Sequence, residues 1–334
     1  MAPLLLHYYI TNRCNSRCSF CDIWNESPKV DAKSDEVVQN LRHARKAGCK
    51  FVDFTGGEPL LHEDLPFFLS EARKLKFITS VTTNCILFPR VAPKISGLVD
   101  LLHFSIDADT PYLHNKIRGV SSFAAVMQSI EIAHQFNLTP DLLFTYTDEN
   151  IDAFEGVYDL ARRKRLMLIL DPVFELSGKD NVSPETHKKA LHYASKTGVY
   201  LNRAHQNLRS MGGNNIAHPQ CKAVSSTIVI LPDNKLAFPC YHHRKEQICL
   251  NNDLNFMVKS SVRKDFIKKQ GTFNFCQGCH INCYFDPSYT FLRNKLFFNS
   301  LFSKLEYAWT KYILYGHVKT LIKSRYKKNL NQIC

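Results

Sequence analysis

"TNRCNSRCSFCDIW", residues 11–24, puts Cys14, Cys18 and Cys21 within eight positions, separated by three residues and then by two. The run before it, "LLLHYYI" (4–10), is rich in β-formers, so the thiols sit in a loop leaving a first strand. A structural zinc site takes four closed ligands. This loop has only three: His7 lies inside the strand and the next cysteine is Cys49.

Working outward, β-rich runs recur at "FVDF" (51–54), "ITSVTT" (78–83), "LLHFSI" (101–106), "DLLFTYT" (141–147) and "LMLIL" (166–170). Amphipathic stretches separate them. In "SDEVVQNLRHARKAG", Ser34 reads as an N-cap, Val37, Val38, Leu41 and Ala44 as an apolar face, and Gly48 as the stop. "SSFAAVMQSIEIAHQF" repeats the pattern with Ser122 as cap. Six strands each followed by a helix predict a parallel sheet with right-handed crossovers. Six units fall short of the eight that close a full barrel, so a partial (β/α)6 barrel is expected over residues 1–204, reactive at its strands' C-terminal ends.

Three thiolates on a four-iron cubane leave one iron open to a substrate or cofactor, which accounts for the missing ligand; a zinc site or packed thiols are the alternatives on spacing alone. Cys14, Cys18, Phe20 and Cys21, as C-x3-C-x-aromatic-C, resemble the signature of the radical S-adenosylmethionine (SAM) superfamily. The resemblance implies a [4Fe–4S] cluster whose open iron binds SAM. One electron from the cluster then cleaves SAM to methionine and a 5′-deoxyadenosyl radical. It further implies that Phe20 packs beside the cluster with its backbone near the adenine, and that Gly56, Gly57 and Glu58 of "DFTGGEPL" are the motif holding the methionine amino group. Asn84 of "TTNC", and Ser105, Asp107 and Arg118 of "SIDADTPYLHNKIRG", resemble residues around the SAM ribose and carboxylate. Cys85 stands where the family commonly has glycine. The resemblance covers roughly residues 4–200.

From about residue 205 the texture changes. "RSMGGNNIAHPQC" is turn-rich, and "STIVILPDNKLAFPC" reads as a hairpin with Asp233-Asn234 in the turn and Cys240 at its end. Cys221, Cys240, Cys276 and Cys279 have the layout C-x18-C…C-x2-C, which suits zinc or a second cubane. The layout resembles SPASM/twitch modules and implies one auxiliary [4Fe–4S] cluster over residues 205–290. Cys283 is a further candidate ligand. Cys49, Cys85, Cys249 and Cys334 stand alone and read as packing or surface residues.

The formal charge of +13 is concentrated at the end of the chain, where residues 291–334 hold nine Lys or Arg against the single Glu306. There Phe298, Phe302, Leu305, Trp309 and Tyr312 recur at helical spacing, interrupted by Lys304, Lys311, Lys319 and Lys323, and "KSRYKK" follows. This 291–334 tail reads either as a helix packed on the barrel or as an interfacial helix on an anionic membrane, too interrupted to span it. The N-terminus lacks a signal-peptide pattern, so a cytoplasmic protein with reduced thiols is expected, in peripheral contact with the inner face of the membrane.

The expected function is a radical SAM enzyme abstracting hydrogen from an unassigned small-molecule, peptide or lipid-like substrate, served by a one-electron reductant such as flavodoxin or ferredoxin. The alternatives are an RNA-modifying radical SAM enzyme, for which the sequence offers positive charge but no RNA-binding signature, and a non-catalytic zinc adaptor. No DNA partner is expected. No Ser-His-Asp, P-loop or GxGxxG pattern competes for the chain.

Overall fold

The computed structural model describes residues 2–317 except Gly178 and Asn252. Lys319, Lys323, "KSRYKK" and Cys334 lie outside the described residues.

Six parallel strands form the barrel: β1 Leu5–Thr11, β2 Phe51–Gly56, β3 Ile78–Thr83, β4 Leu101–Ser105, β5 Asp141–Tyr146 and β6 Leu168–Pro172. A two-residue strand, β7 Val199–Tyr200, adds to β6. In β2 and β3 burial alternates strictly, because period-2 side chains face helices on one side and the barrel interior on the other. Helices α1 Ser34–Ala47, α2 Leu65–Lys74, α3 Phe88–Ile95, α4 Pro111–Arg118, α5 Phe123–Gln135, α6 Phe154–Lys164 and α7 Pro184–Tyr193 cover the outer face. The sixth strand begins two residues later than its sequence run. Arg165 turns left-handed (φ 54°) after α6, and the Leu166 amide bonds back to Ala161, so Leu166 and Met167 complete the turn first.

Three local expectations are corrected. Ser34 is the first residue of α1 and caps nothing; its hydroxyl bonds Asp64 instead, at 2.5 Å. On the same helix Val38 is only half-buried, and Asn40 takes the core side, donating to the Tyr8 hydroxyl at 3.0 Å. At α5, Ser122 holds the cap position but its hydroxyl pairs with His114, while the Asn115 carboxamide oxygen accepts the Ser122 and Phe123 amides. Gly48 closes α1 at φ 115°, as expected.

After α8 Arg203–Ser210 and the short α9 Ala223–Ser226, the predicted hairpin appears as β8 Thr227–Ile230 and β9 Lys235–Phe238, with Asn234 left-handed at φ 57° in the turn. The hairpin does not start a new sheet. β8 pairs in parallel with β1, and β10 Glu246–Cys249 pairs with β9, giving one ten-stranded sheet in the order β10-β9-β8-β1-β2-β3-β4-β5-β6-β7. Helices α10 Leu254–Lys259, α11 Ser261–Lys269, α12 Asn282–Tyr289 and α13 Lys295–Ala308 follow, and α13 continues as a π-helix, Trp309–Leu314. Among the described residues no helix is long and apolar enough to cross a membrane.

The π-helix corrects the tail reading. Its wider turn shifts the register by one residue, so Ile313 rather than Tyr312 joins Phe298, Phe302, Leu305 and Trp309 on one exposed face. Lys311 does not face solvent either. It is buried, its ammonium 2.7 and 2.8 Å from the two Asp141 carboxylate oxygens, with Tyr307 donating to the same carboxylate at 2.6 Å. Lys304 pairs with Asp286 at 3.1 Å.

Candidate cluster and cofactor site

The loop after β1 carries Cys14, Cys18 and Cys21, and its path is fixed on every side. Asn12 donates to the Pro28 carbonyl and accepts the Val30 amide, at 2.8 and 2.7 Å. Arg13 donates to Asp31 and to the Leu61 carbonyl, each at 2.9 Å. The Gly57 and Glu58 amides donate to the Thr11 and Arg13 carbonyls at 2.9 and 2.8 Å, and the Arg17 and Ser19 amides donate to the Arg118 and Ile117 carbonyls at 2.9 and 3.0 Å. The end of β2 and the last turn of α4 therefore hold the cysteine loop directly.

The crowding at the glycines is with this loop. A Cβ on Gly57 would lie 2.1 Å from the Arg13 carbonyl oxygen and 3.0 Å from the Cys14 Cβ, and one on Gly56 would lie 1.9 Å from the Thr11 oxygen. Only glycine permits that approach. Glu58 is buried and points sideways: its carboxylate accepts the Thr83 hydroxyl, the Asn84 amide and the Leu60 amide at 2.8, 2.8 and 3.1 Å. Asn84 donates to Asn15 and Ser16 of the loop at 2.7 and 2.8 Å. Ser105 is buried at the end of β4. Asp107 is fully buried and lies 2.5 Å from the Arg118 Nε, and Thr145 donates its amide to the same carboxylate at 3.2 Å. The Asp107–Arg118 approach is an ion pair without hydrogen-bond alignment, since both atoms lack an aligned partner. Arg118 also reaches the Cys18 sulfur at 3.7 Å and stacks its guanidinium 5.5 Å from the Phe20 ring centroid. Burial opposes its charge, but Asp107 and Cys18 hold it firmly protonated.

This arrangement fits an iron–sulfur cluster. Burial pushes the Cys14 thiol up to about 11 and raises Cys21, so bare thiols here stay protonated until a metal draws out the thiolates. Arg118 supplies a fixed positive charge beside Cys18, and Ser16 donates its amide to the Cys14 sulfur at 3.4 Å. Among the described residues no three or more His, Cys, Asp or Glu side chains are already gathered as a metal-ion site.

The second set is assembled by a residue the sequence reading passed over. Asn214, fully buried, donates its side-chain amide to the Gly271 and Cys276 carbonyls at 2.8 and 3.1 Å, and accepts the Gln220 and Cys221 amides at 3.0 and 3.2 Å. Its backbone pairs with Cys279 and Gly278, at 2.9 and 2.8 Å. One residue thus ties the segment bearing Cys221 to the one bearing Cys276 and Cys279, and the signal was only an asparagine after the "GG" of a turn. Cys221 lies within electrostatic reach of Cys279, Cys240 and Cys276. Cys283 lies within electrostatic reach of Cys240 and Cys279 as well as of Asp171 and Asp53 of the barrel, and its sulfur lies 3.9 Å from His242. It stands between the two regions.

A cavity of about 580 Å³ opens where they meet, lined among others by Phe20, Cys21, Thr147, Phe174, His242 and Arg244. Below its mouth the barrel interior is polar, with His7 and Asp53 paired at 3.1 Å and the half-buried Asp171 accepting from Asn282 at 2.8 Å.

A partial parallel barrel with three thiols in the loop after its first strand, clamped by the ends of the next three βα units, has the makings of a scaffold for an iron–sulfur cluster. Residues 8–161 match the Radical SAM superfamily, and the chain carries a radical SAM domain, whose cofactors are a [4Fe–4S] cluster and SAM. The "Probable GTP 3',8-cyclase" of Methanococcus maripaludis is 30% identical over 160 residues, 46% of this chain and 53% of that protein. The "GTP 3',8-cyclase" of Clostridium acetobutylicum is 31% identical over 171 residues, 48% and 52% of the two chains. The chain spans about half the length of the curated relatives it matches. Among solved structures, Streptococcus suis SuiB bound to S-adenosylmethionine superposes with a TM-score of 0.65 at 17% identity, covering 88% of this chain and 77% of that one. The anSMEcpe structure with bound AdoMet gives 0.63 at 15% identity over 96% and 95%. These two likenesses concern the fold, and both extend beyond the barrel.

Proposed function

We propose that this chain is a radical SAM enzyme that removes a hydrogen atom from a polar substrate held in the cavity beside Cys21. The carrying observation is the three-thiol loop clamped at the strands' C-terminal ends with an open cavity of about 580 Å³ against it. When bound, the cluster supplies the electron that cleaves SAM to a 5′-deoxyadenosyl radical. Cys14, Cys18 and Cys21 hold it; Arg118 fixes charge beside it, and Asp107 aims Arg118. Glu58 and Asn84 keep the loop in place. Phe20 shields one side of the site from water.

The second cysteine set, Cys221, Cys240, Cys276 and Cys279 with Cys283 at its margin, would hold an auxiliary [4Fe–4S] cluster, and residues 205–290 form the module that carries it. The partners are a one-electron reductant such as flavodoxin or ferredoxin and the substrate itself, in the cytoplasm. The relatives called GTP cyclases favour a small polar substrate, and a SuiB structure bound to its precursor peptide SuiA keeps peptides in view.

Anaerobic reconstitution should load about eight irons per chain, and dithionite with SAM should give 5′-deoxyadenosine. Replacing Cys14, Cys18 and Cys21 by Ala should abolish that product and leave about four irons. A fully loaded wild type that makes no 5′-deoxyadenosine sinks the enzymatic reading. Zinc in both sites, without acid-labile sulfide, replaces it with the adaptor.

A further inference from the structure

We propose that α13 and its π-helical continuation dock the protein on an anionic lipid surface, independently of the reaction it performs. A helix on a globular protein normally buries its apolar stripe and exposes its polar one. Here the two are exchanged. Past Leu296, which packs into the core in the first turn, the side against the protein carries Ser300, Ser303, Thr310 and Lys311, each buried, with Ser303 accepting the Arg203 amide at 3.1 Å and Lys311 paired with Asp141. The side facing outward carries Phe298, Phe302, Leu305, Trp309 and Ile313, between 54% and 64% exposed. Polar anchors thus hold the helix in an orientation that leaves its aromatic stripe uncovered, the profile of a contact surface rather than of core packing.

Charge selects the occupant. The stripe ends beside the C-terminus of α6, where Arg162, Arg163 and Arg165 are exposed and Arg165 donates to the Leu314 carbonyl at 3.2 Å. Beyond Glu306 the chain contains no acidic residue and adds Lys319, Lys323, Arg325, Lys327 and Lys328. Exposed aromatic and aliphatic side chains beside the exposed Arg162, Arg163 and Arg165, in a chain whose last residues are rich in cations, suit the headgroup boundary of an anionic bilayer, even though Arg162 also pairs with Asp159 at 3.9 Å. A second copy of this chain would bring the same cations against them and meet repulsion. The stripe lies on α13 and runs to the floor of the barrel, where β5 and β6 begin, whereas the cysteine loop and its cavity are at the strands' opposite ends. The stripe runs lengthwise along the side of the molecule, from Asn294, which bonds Gln220 beside Cys221, to Lys311 at the floor, so docking it does not by itself bring the reactive mouth to the lipid and a lipid-like substrate is not implied.

The test uses the full chain with vesicles of phosphatidylcholine alone or mixed equally with phosphatidylserine. The wild type should co-sediment with the mixed vesicles only and be released by high salt. Phe302→Ser with Trp309→Ser, and separately Arg162→Glu with Arg163→Glu, should each weaken that partitioning by about tenfold or more while leaving thermal unfolding and iron loading unchanged. All four positions are exposed, so folding is preserved; removing the tail altogether would strip Lys311 from Asp141 and is not a clean test. In a Trp24→Phe background, Trp309 is the sole tryptophan, and its emission should shift to the blue on mixed vesicles. No binding to mixed vesicles, equal binding by the substituted forms, or a dimer that Phe302→Ser dissociates without any vesicle binding overturns the proposal.

Discussion

Glu58 shows how one side chain can brace the strand ends beneath a site. All three of its partners are donors, from Leu60, Thr83 and Asn84, so it knots the ends of β2 and β3 beneath the cysteine loop. Burial outweighs those donors and pushes the acid from 4.5 up to about 7. The folded protein therefore binds a proton more readily than the unfolded one. In cofactor-free protein this group's contribution is whole below pH 4.5 and is lost as the pH rises through about 7, up to about 3 kcal/mol. Glu58→Gln should flatten that slope in urea melts taken from pH 5 to 8. It should also cost about 1–3 kcal/mol at the acid end, because the new amide meets the Asn84 N–H donor to donor.

Cys85 is the other position where the residue matters singly. It sits fully buried at φ 70°, a left-handed backbone conformation that favours glycine. Cys85→Gly trades the left-handed strain of about 1–2 kcal/mol against the packing of one sulfur and should leave stability within about 1 kcal/mol. Cys85→Val, β-branched at positive φ, should cost more than about 2 kcal/mol. Equal melts for the two variants would mean that the backbone relaxes at Cys85.

Among elements, the loops and termini rather than the strands decide what is new here. Asn214 joins the segments bearing Cys221, Cys276 and Cys279, so Asn214→Ala should lower iron from about eight to about four per chain, while 5′-deoxyadenosine formation without substrate persists. Loss of both clusters together would make the two sites one cooperative unit. At the far end of the chain, Lys311→Met leaves Asp141 buried beside Tyr307 with no cation and should cost about 3–5 kcal/mol. The double change Lys311→Met with Asp141→Leu should recover most of that loss in denaturant melts.

These elements also mark where sequence reading stops. The six strands, the three-thiol loop and the hairpin with Asn234 were legible because each is a local pattern: alternation, spacing, a turn residue. The roles of Asn214, Asn40, Asn115 and Lys311 were not. Each is a polar residue whose partner lies far along the chain or on the other side of a turn, and polarity alone reads as exposure. The helix register past Trp309 was missed for a different reason, since no residue pattern announces a π-turn.

At the scale of the molecule, the second cysteine region is built onto the first. β8 lies against β1 from Leu5 to Tyr8, and the Asn40 amide reaches across from α1 to Asn234 at 2.8 Å. Ending the chain at residue 204 would strip β1 of that neighbour and expose a row of unpaired backbone groups. Such a fragment should self-associate on size exclusion and lose protection of residues 5–8 in hydrogen exchange, whereas a separable barrel would remain monomeric and protected.

The position of β1 inside the sheet also sets the order in which the protein can be made. It precedes both of its neighbours along the chain, one flank being covered by residues 51–56 and the other only by residues 227–230. The Asp141 carboxylate must likewise wait for Lys311. A nascent chain therefore carries an open β-edge until residues 227–230 have emerged and an acid without its lysine until Lys311 has, a state in which folding is slow and chaperone contact has the most to offer.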